Sequence, residues 1–256
     1  MNYKQIGAVA LTILALLFGS LWISCAVTTV IVGEGRLDYN YMKDRTVIIF
    51  GESEDNSSLN SSLYARNTMK KTASWLGTGV IVKIDKEYTY ILTNAHVAGK
   101  KRNGVQLGVK DKNRSKSARI IKYHNNLDLA LIRITGILEE KKAINKINTT
   151  KISEKVYVVG HPLGNMYTYG EGVVAGWKGL YQYIQMPCMP GNSGSGVFNA
   201  RGDLVAMLFA IDGTLMGPFP LMDVGHGIAV DGVEIRDFLK ECKVYNYEET
   251  RQKKTE

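Results

Sequence analysis

The residues best suited to chemistry are a serine, a histidine and an aspartate, each set in its own short motif. Gly191-Asn192-Ser193-Gly194-Ser195-Gly196 puts three glycines in six residues, which calls for a sharp turn or a close backbone approach. A glycine two positions before Ser193 lets the amides of Gly191 and Ser193 point into one pocket, where they can hold a developing oxyanion. Taken alone, this hexapeptide reads as an ordinary glycine-rich turn. Upstream, however, lie Thr93-Asn94-Ala95-His96-Val97 and Asn125-Asn126-Leu127-Asp128-Leu129-Ala130-Leu131-Ile132, a histidine and an aspartate each at the edge of an apolar run. A neutral hydroxyl is a poor nucleophile at pH 7. It needs a base to take its proton and a carboxylate to hold that base in one tautomer. His96, Asp128 and Ser193 supply those three groups, and the chemistry they would perform is acyl transfer to water.

Their chain order, His before Asp before Ser, is that of the chymotrypsin-like arrangement and the reverse of the α/β-hydrolase order. Gly77-Thr78-Gly79-Val80-Ile81, Thr93-Asn94-Ala95-His96-Val97, Leu127-Asp128-Leu129-Ala130-Leu131, Gly160-His161-Pro162-Leu163-Gly164 and Gly191-Asn192-Ser193-Gly194-Ser195 together resemble the trypsin-like serine proteases of the HtrA/Deg and glutamyl-endopeptidase type. The resemblance runs from about Gly77 to Ala229. It implies an all-β fold of two six-stranded antiparallel barrels with a C-terminal helix, serine endopeptidase activity on protein or peptide substrates, and no cofactor. It covers the protease domain alone, because too little chain follows Val230 for a PDZ domain.

The elements that must position these residues are short and β-rich. Thr46–Phe50 reads as a first strand. Runs at 79–84, 88–93, 105–110, 118–123 and 129–134 complete a first barrel (46–140) that supplies His96 and Asp128. Runs at 156–160, 167–175, 181–186, 196–199, 204–211 and 225–230 form a second (155–230) that supplies Ser193, the whole protease domain spanning 46–240. Barrel closure suits such short strands because it removes exposed edges. Residues 51–74 are rich in Ser and Asn and read as a long loop; 135–154 link the barrels. After Asp231, a plausible N-cap, the apolar positions 235, 238 and 239 have helical spacing, which predicts a helix over 231–242 followed by a charged tail at 243–256.

Ile6 to Val32 is an almost unbroken apolar run, longer than the roughly 20 residues that span a bilayer. Lys4 precedes it and Glu34, Arg36 and Asp38 follow, so residues 1–32 read as a membrane anchor or signal segment with the protease domain on the extracytoplasmic side. Retention, cleavage after Ser24-Cys25-Ala26 and lipidation at Cys25 are all open; the apolar residues beyond Cys25 favour retention. Residues 33–45 read as a tether.

Charge is uneven. The net charge is +8, and residues 100–155 carry fifteen Lys/Arg against five Asp/Glu. The excess reads as a solvated strand-loop-strand segment, with attraction to anionic surfaces as the functional alternative; no motif accompanies it that would bind nucleic acid. The four histidines have no metal-ligand spacing. Cys188 and Cys242 are read as unpaired, Cys188 as a small buried hydrophobe.

For the pocket that receives the residue before the cut bond, the resemblance implies that the strand after the nucleophile forms one wall, which puts Leu208, Phe209 and Ala210 there and Gly227 on the other. Glutamyl endopeptidases carry a histidine where Leu208 stands, so glutamate specificity is not expected. The expectation is cleavage after small or medium apolar residues. The alternative is a carboxylate from Asp203, Asp212 or Asp223 at the pocket base, and His226 is placed near the far wall. The rival readings are a catalytically silent peptide-binding barrel at the membrane surface, an adaptor acting through its basic barrel, and an α/β-hydrolase using Ser193, Asp212 or Asp223, and His226. That last lacks the second glycine of Gly-x-Ser-x-Gly, since Ser195 stands there.

Overall fold

The computed structural model describes residues 36–54, 72–100, 104–111, 114–211, 214–216, 219–221 and 226–245. The apolar run at 6–32 lies outside them, and among the described residues no helix is long and apolar enough to cross a membrane.

The first barrel is built from β1 (Thr46–Glu54), β2 (Thr72–Ile84), β3 (Tyr88–Thr93), β4 (Gln106–Asp111), β5 (Arg114–Tyr123) and β6 (Ala130–Thr135). It closes in the order β1-β2-β3-β6-β5-β4. Its interior is filled by branched side chains of alternating strand positions, among them Val47, Ile49, Ile81, Ile91, Val109 and Ile132, as expected where one face of each strand is buried. The second barrel comprises β7 (Lys155–Gly160), β8 (Thr168–Lys178), β9 (Tyr181–Gln185), β10 (Gly196–Asn199), β11 (Leu204–Ile211) and β14 (His226–Asp231). It closes in the order β10-β11-β14-β9-β8-β7, around Val156, Val158, Val174, Ile184, Val197 and Ala229. Between β11 and β14 lies a small ribbon of β12 (Thr214–Met216) and β13 (Phe219–Leu221).

A third core joins the barrels: Leu92, Leu129 and Leu131 of the first pack with Tyr157, Val159, Phe198 and Met207 of the second. The linker 136–154 contains no named strand and ties the two together by its backbone. Ile144 N–H donates to Ile81 O and Asn148 N–H to Leu204 O, each at 2.9 Å. The C-terminal helix α2 (Gly232–Glu241) follows the expected pattern. Asp231 caps it by accepting from Val233 N–H, and Ile235, Phe238 and Leu239 are buried.

Two segments differ from the sequence reading. The loop expected over 51–74 is shorter, because β1 and β2 continue pairing to Glu54↔Thr72. The Trp75 indole covers Gly51, where a Cβ would lie 2.2 Å from the ring, and such cross-strand packing has no local sequence signal. Of the stretch read as a tether, 33–45, the part from Leu37 onward belongs to the folded unit. It forms a short helix, α1 (Tyr39–Lys43), with Met42 fully buried, and the Arg45 guanidinium sits 3.5 Å above the Tyr41 ring.

Candidate active site

His96 stands on a single turn after β3, and Asp128 on the turn before β6. Because β3 and β6 are hydrogen-bonded neighbours with Thr93 opposite Ala130, the two turns leave the barrel side by side. The Asn94 amide group donates to Asp128 O at 2.9 Å and fixes one turn to the other. The Asp128 carboxylate then grips His96 twice. Oδ1 accepts from the His96 backbone N–H at 2.9 Å, and Oδ2 lies 2.5 Å from the ring Nδ1. Partial burial pushes the Asp128 carboxyl up. The hydrogen bond and charge of His96, with the backbone amides of His96 and Ala95, outweigh burial and hold it below the usual carboxylate range. An ionised carboxylate only accepts, so Nδ1 carries the proton and Nε2 presents a lone pair. The His96 side chain is 50% exposed and Asp128 25%; the base faces solvent and its partner is shielded.

Ser193 lies on the loop between β9 and β10. Its carbonyl accepts from Thr78 N–H at 2.8 Å, Gly194 N–H donates to Leu208 O at 2.8 Å, and Leu208 N–H donates to Ser195 O at 3.0 Å. Gly194 has φ +85°, and a Cβ there would come within 1.9 Å of Thr78 O and 2.6 Å of Thr93 Oγ1. The loop is therefore keyed into β2 and β3, three residues before His96. The serine loop thus adjoins the end of the strand that leads to His96, and among the described residues no hydrogen bond joins the Ser193 hydroxyl to His96. Ser193 is half-buried. Ser195 is fully buried, with its hydroxyl facing Gly160, so only the first serine can meet a substrate.

Gly191 adopts φ +99°, and a Cβ would lie 2.3 Å from His161 O, which makes any other residue there both strained and obstructed. Among the described residues neither the Gly191 nor the Ser193 amide donates to an acceptor, so both are available to an incoming oxyanion.

Beside Ser193 is a cavity of about 250 Å³ lined by Cys188, Met189, Pro190, Asn192, Ser193, Leu208 and Phe209. Of the residues the sequence selected, Leu208 and Phe209 line it. Gly227 stands behind the lining, where a Cβ would meet Cys188 Sγ at 2.6 Å and Leu208 Cδ2 at 2.8 Å. The side chain of Ala210 lies outside the described ones. Sequence reasoning missed Cys188, although a small apolar residue five positions before the nucleophile was signal enough. Its thiol is free and buried, and burial pushes its pKa up to about 11, so the wall it forms is neutral.

His226 is not at this cavity. It lines a separate open depression with Ala175, Gly176, Trp177 and Tyr183, because its β14 position pairs with Gln185 at the outer end of β9. Asp203 is also elsewhere, accepting from the side chains of Asn148, Asn199 and Arg201. Asp212 and Asp223 lie outside the described residues. His124, which spacing would leave solvent-facing, is half-buried. Its Nδ1 accepts from the backbone amides of Asn126 and Leu127, and its ring packs edge-on against Phe238. It shapes the turn that holds Asp128.

Residues 77–207 match the trypsin-like peptidase domain family. The chain belongs to that family. A serine protease HtrA-like from Staphylococcus aureus (strain USA300) is 30% identical over 161 residues, covering 55% of this chain and 21% of that protein. The chain thus spans about a fifth of the length of the curated relatives it matches. In fold it is similar to the HtrA-type protease AlgW with a decapeptide (21% identity, TM-score 0.56, 80% of this chain and 68% of that one). It is similar also to Rv3671c from M. tuberculosis H37Rv in an inactive form (17% identity, TM-score 0.55, 78% and 87%). Two closed barrels and a C-terminal helix make the fold of this trypsin-like domain chymotrypsin-like.

Proposed function

We propose that the protein is a serine endopeptidase in which His96, Asp128 and Ser193 form the triad. The observation that carries this reading is the doubly bonded His96–Asp128 pair beside an accessible serine, with two uncommitted amides next to it. Family membership supports the same activity.

In this mechanism Nε2 of His96 takes the Ser193 proton as Oγ attacks the substrate carbonyl. The carbonyl π electrons move to oxygen, and the Gly191 and Ser193 amides stabilise that oxyanion. The imidazolium, held by Asp128, gives its proton to the leaving amine as the C–N bond breaks. Water then repeats the sequence on the acyl-enzyme and releases the acid. Every group involved is part of the chain, and no cofactor enters.

The cavity beside Ser193 has no charged side chain among its lining residues. An apolar side chain gains about 25 cal/mol per Å² on entering such a site, whereas a charged one loses hydration without a partner. Cleavage after Val, Ala, Leu or Met is the preference this supports. The apolar run at 6–32, with its flanking charges, supports an N-terminal anchor that leaves the protease domain extracytoplasmic.

Fluorophosphonate labelling of the full-length protein tests the assignment. Ser193→Ala should abolish both labelling and peptide hydrolysis, while Ser195→Ala keeps most of each. A positional peptide library read on the same preparations reports the preference. Labelling that survives in Ser193→Ala and vanishes in Ser195→Ala refutes the nucleophile. A wild-type protein that binds peptides without cutting or labelling makes the domain a peptide-binding barrel. Dominant cleavage after Arg, Lys or Glu refutes the apolar pocket.

A further inference from the structure

The proposed mechanism leaves one buried histidine unused. His161, directly after β7, is fully enclosed, and its surroundings converge on the loop that carries the oxyanion amides. Its Nδ1 lies 3.0 Å from Thr78 Oγ1, and the Thr78 hydroxyl donates to the Gly191 carbonyl at 2.9 Å. A hydroxyl has one proton to give, and that proton goes to Gly191, so the imidazole must be the donor to Thr78. Nδ1 therefore carries the hydrogen, and Nε2 is a lone pair with no hydrogen-bond partner among the described residues. Burial, and then the Lys141 ammonium, push the ring's pKa down to about 4, leaving a neutral single donor. The Tyr167 ring packs against it edge-on at 4.9 Å and fixes its plane.

The same segment meets the loop through its backbone. Gly191 lies against the His161 carbonyl, and Leu163 N–H donates to Pro190 O at 2.7 Å. In a trans peptide the C=O and N–H point in opposite directions, so holding Pro190 O on one side turns Gly191 N–H to the other. Asn192 N–H on the next peptide is held by Met189 O at 3.0 Å. The Gly191 carbonyl, held by Thr78, completes the restraint on both peptides that flank Gly191.

We propose that His161 is a positioning residue for the oxyanion hole: through Thr78 it holds the Gly191 carbonyl and so keeps the Gly191 amide aimed at the developing oxyanion. This rests on the triad and oxyanion hole proposed above. With its carbonyl released, a glycine at φ +99° has a wide range of φ and ψ open to it, and rotation about those two bonds lets the preceding peptide, which carries the Gly191 N–H, turn out of the hole. The requirement is chemical rather than steric. Any side chain at 161 that presents one donor at the Nδ1 position satisfies it, and an apolar side chain of equal bulk does not.

Paired variants of the full-length protein test this. His161→Leu keeps bulk and removes the donor, and His161→Asn places an amide nitrogen near the Nδ1 position. Thr78→Val removes the hydroxyl at nearly constant shape, and Thr78→Ser keeps it. Misaiming an oxyanion donor weakens the transition state rather than ground-state binding. Removing such a donor outright costs about 10²–10³-fold in kcat, so a misaimed one is expected to cost about 10- to 100-fold. The expected result is a kcat loss of that size in His161→Leu and in Thr78→Val with KM unchanged. His161→Asn and Thr78→Ser should recover to within about threefold of the parent, and the Leu/Val double variant should be no slower than either single change. A purely structural role would lower thermal stability without a kcat-specific loss that the donor-retaining variants rescue. A folded His161→Leu or Thr78→Val with unchanged kcat overturns the inference, as does His161→Asn as slow as His161→Leu. If His161→Leu fails to fold, the Thr78 pair decides by the same criteria. Ser193→Ala run alongside separates the two readings. Hydrolysis that survives in it refutes the triad, whereas Ser193-dependent hydrolysis indifferent to His161 and Thr78 refutes only the positioning role.

Discussion

Replacing Asp128 by Asn tests whether the carboxylate sets the state of His96. Oδ1 of the new amide can still accept from His96 N–H, the contact now at 2.9 Å, but an NH₂ group then stands where Oδ2 lies 2.5 Å from the ring Nδ1. Two N–H groups cannot face each other at that separation. The imidazole moves its proton to Nε2, so the nitrogen that should take the Ser193 proton no longer has a lone pair. The positive charge that develops on the ring during attack also loses its counter-charge. The expected loss in kcat is about 10⁴-fold, the size typical of this change in a His-Asp-Ser triad, equivalent to about 5 kcal/mol of transition-state stabilisation. Single-turnover acylation of a peptide ester reads it directly, since ester and amide substrates share that step.

Stability provides the control for the same variant. The native Asp128 carboxyl is held below its ordinary value. It therefore contributes stability at pH above the unfolded-state value, near 3.9, and that contribution is lost as pH falls through the lower native value. Asp128→Asn should thus melt below the parent at pH 7, with the gap closing in acid. A folded variant whose acylation rate falls less than tenfold would show that Asp128 does not set the tautomer, and the triad would lose its third member.

Two other perturbations probe the frame around the site. Gly227→Ala puts a methyl group 2.6 Å from Cys188 Sγ and 2.8 Å from Leu208 Cδ2. Crowding should cost about 1–3 kcal/mol in a urea melt and shift a peptide library toward smaller residues before the cut bond; an unchanged library would place the pocket elsewhere. Asp231→Ala removes the acceptor of Val233 N–H at 2.8 Å and of the buried Gln182 amide at 2.6 Å. Losing the cap and unpairing the amide should together cost about 2 kcal/mol with kcat unchanged, and a melt within experimental error of the parent would refute the capping role.

What the sequence made legible follows from how local each signal is. Strands such as Tyr88–Thr93, half-buried and buried by turns over Tyr88–Ile91 and then buried throughout, can be read because the pattern and the element share the same few residues. The start of helix α2 is equally local, with Asp231 and the Val233 N–H it accepts from two residues apart. The extension of the β1–β2 hairpin was hidden because its stability comes from Trp75 lying across Gly51, residues that a polar stretch separates in the chain. The packing of His124 is hidden for the same reason. Its neighbour Phe238 comes from the C-terminal helix, and no spacing near His124 reveals it. His226 shows how much hangs on register. A bulge in β11 between Leu208 and Ala210 sets Gly227 opposite Ile211, and the β9 pairing sets His226 opposite Gln185; together they leave the glycine behind the cavity and the histidine outside it.

The positions proposed for catalysis stand out for a different reason. Each sits in a motif whose small or polar neighbours serve contacts with another motif. Thr78 supplies a backbone donor to Ser193 and a side-chain donor to Gly191. Thr93 donates to Thr78 O at 2.7 Å, and Asn94 fixes the Asp128 turn. A motif such as Gly77-Thr78-Gly79 therefore marks an approach between distant segments, although its letters do not say which segment approaches. The sequence nominates His96, Asp128 and Ser193 by type and order. It could not show that the histidine in Gly160-His161-Pro162 reaches the oxyanion loop through a threonine some eighty residues earlier. That link exists only where both barrels close on the same cleft, which is why the positioning shell was the part that required the structure.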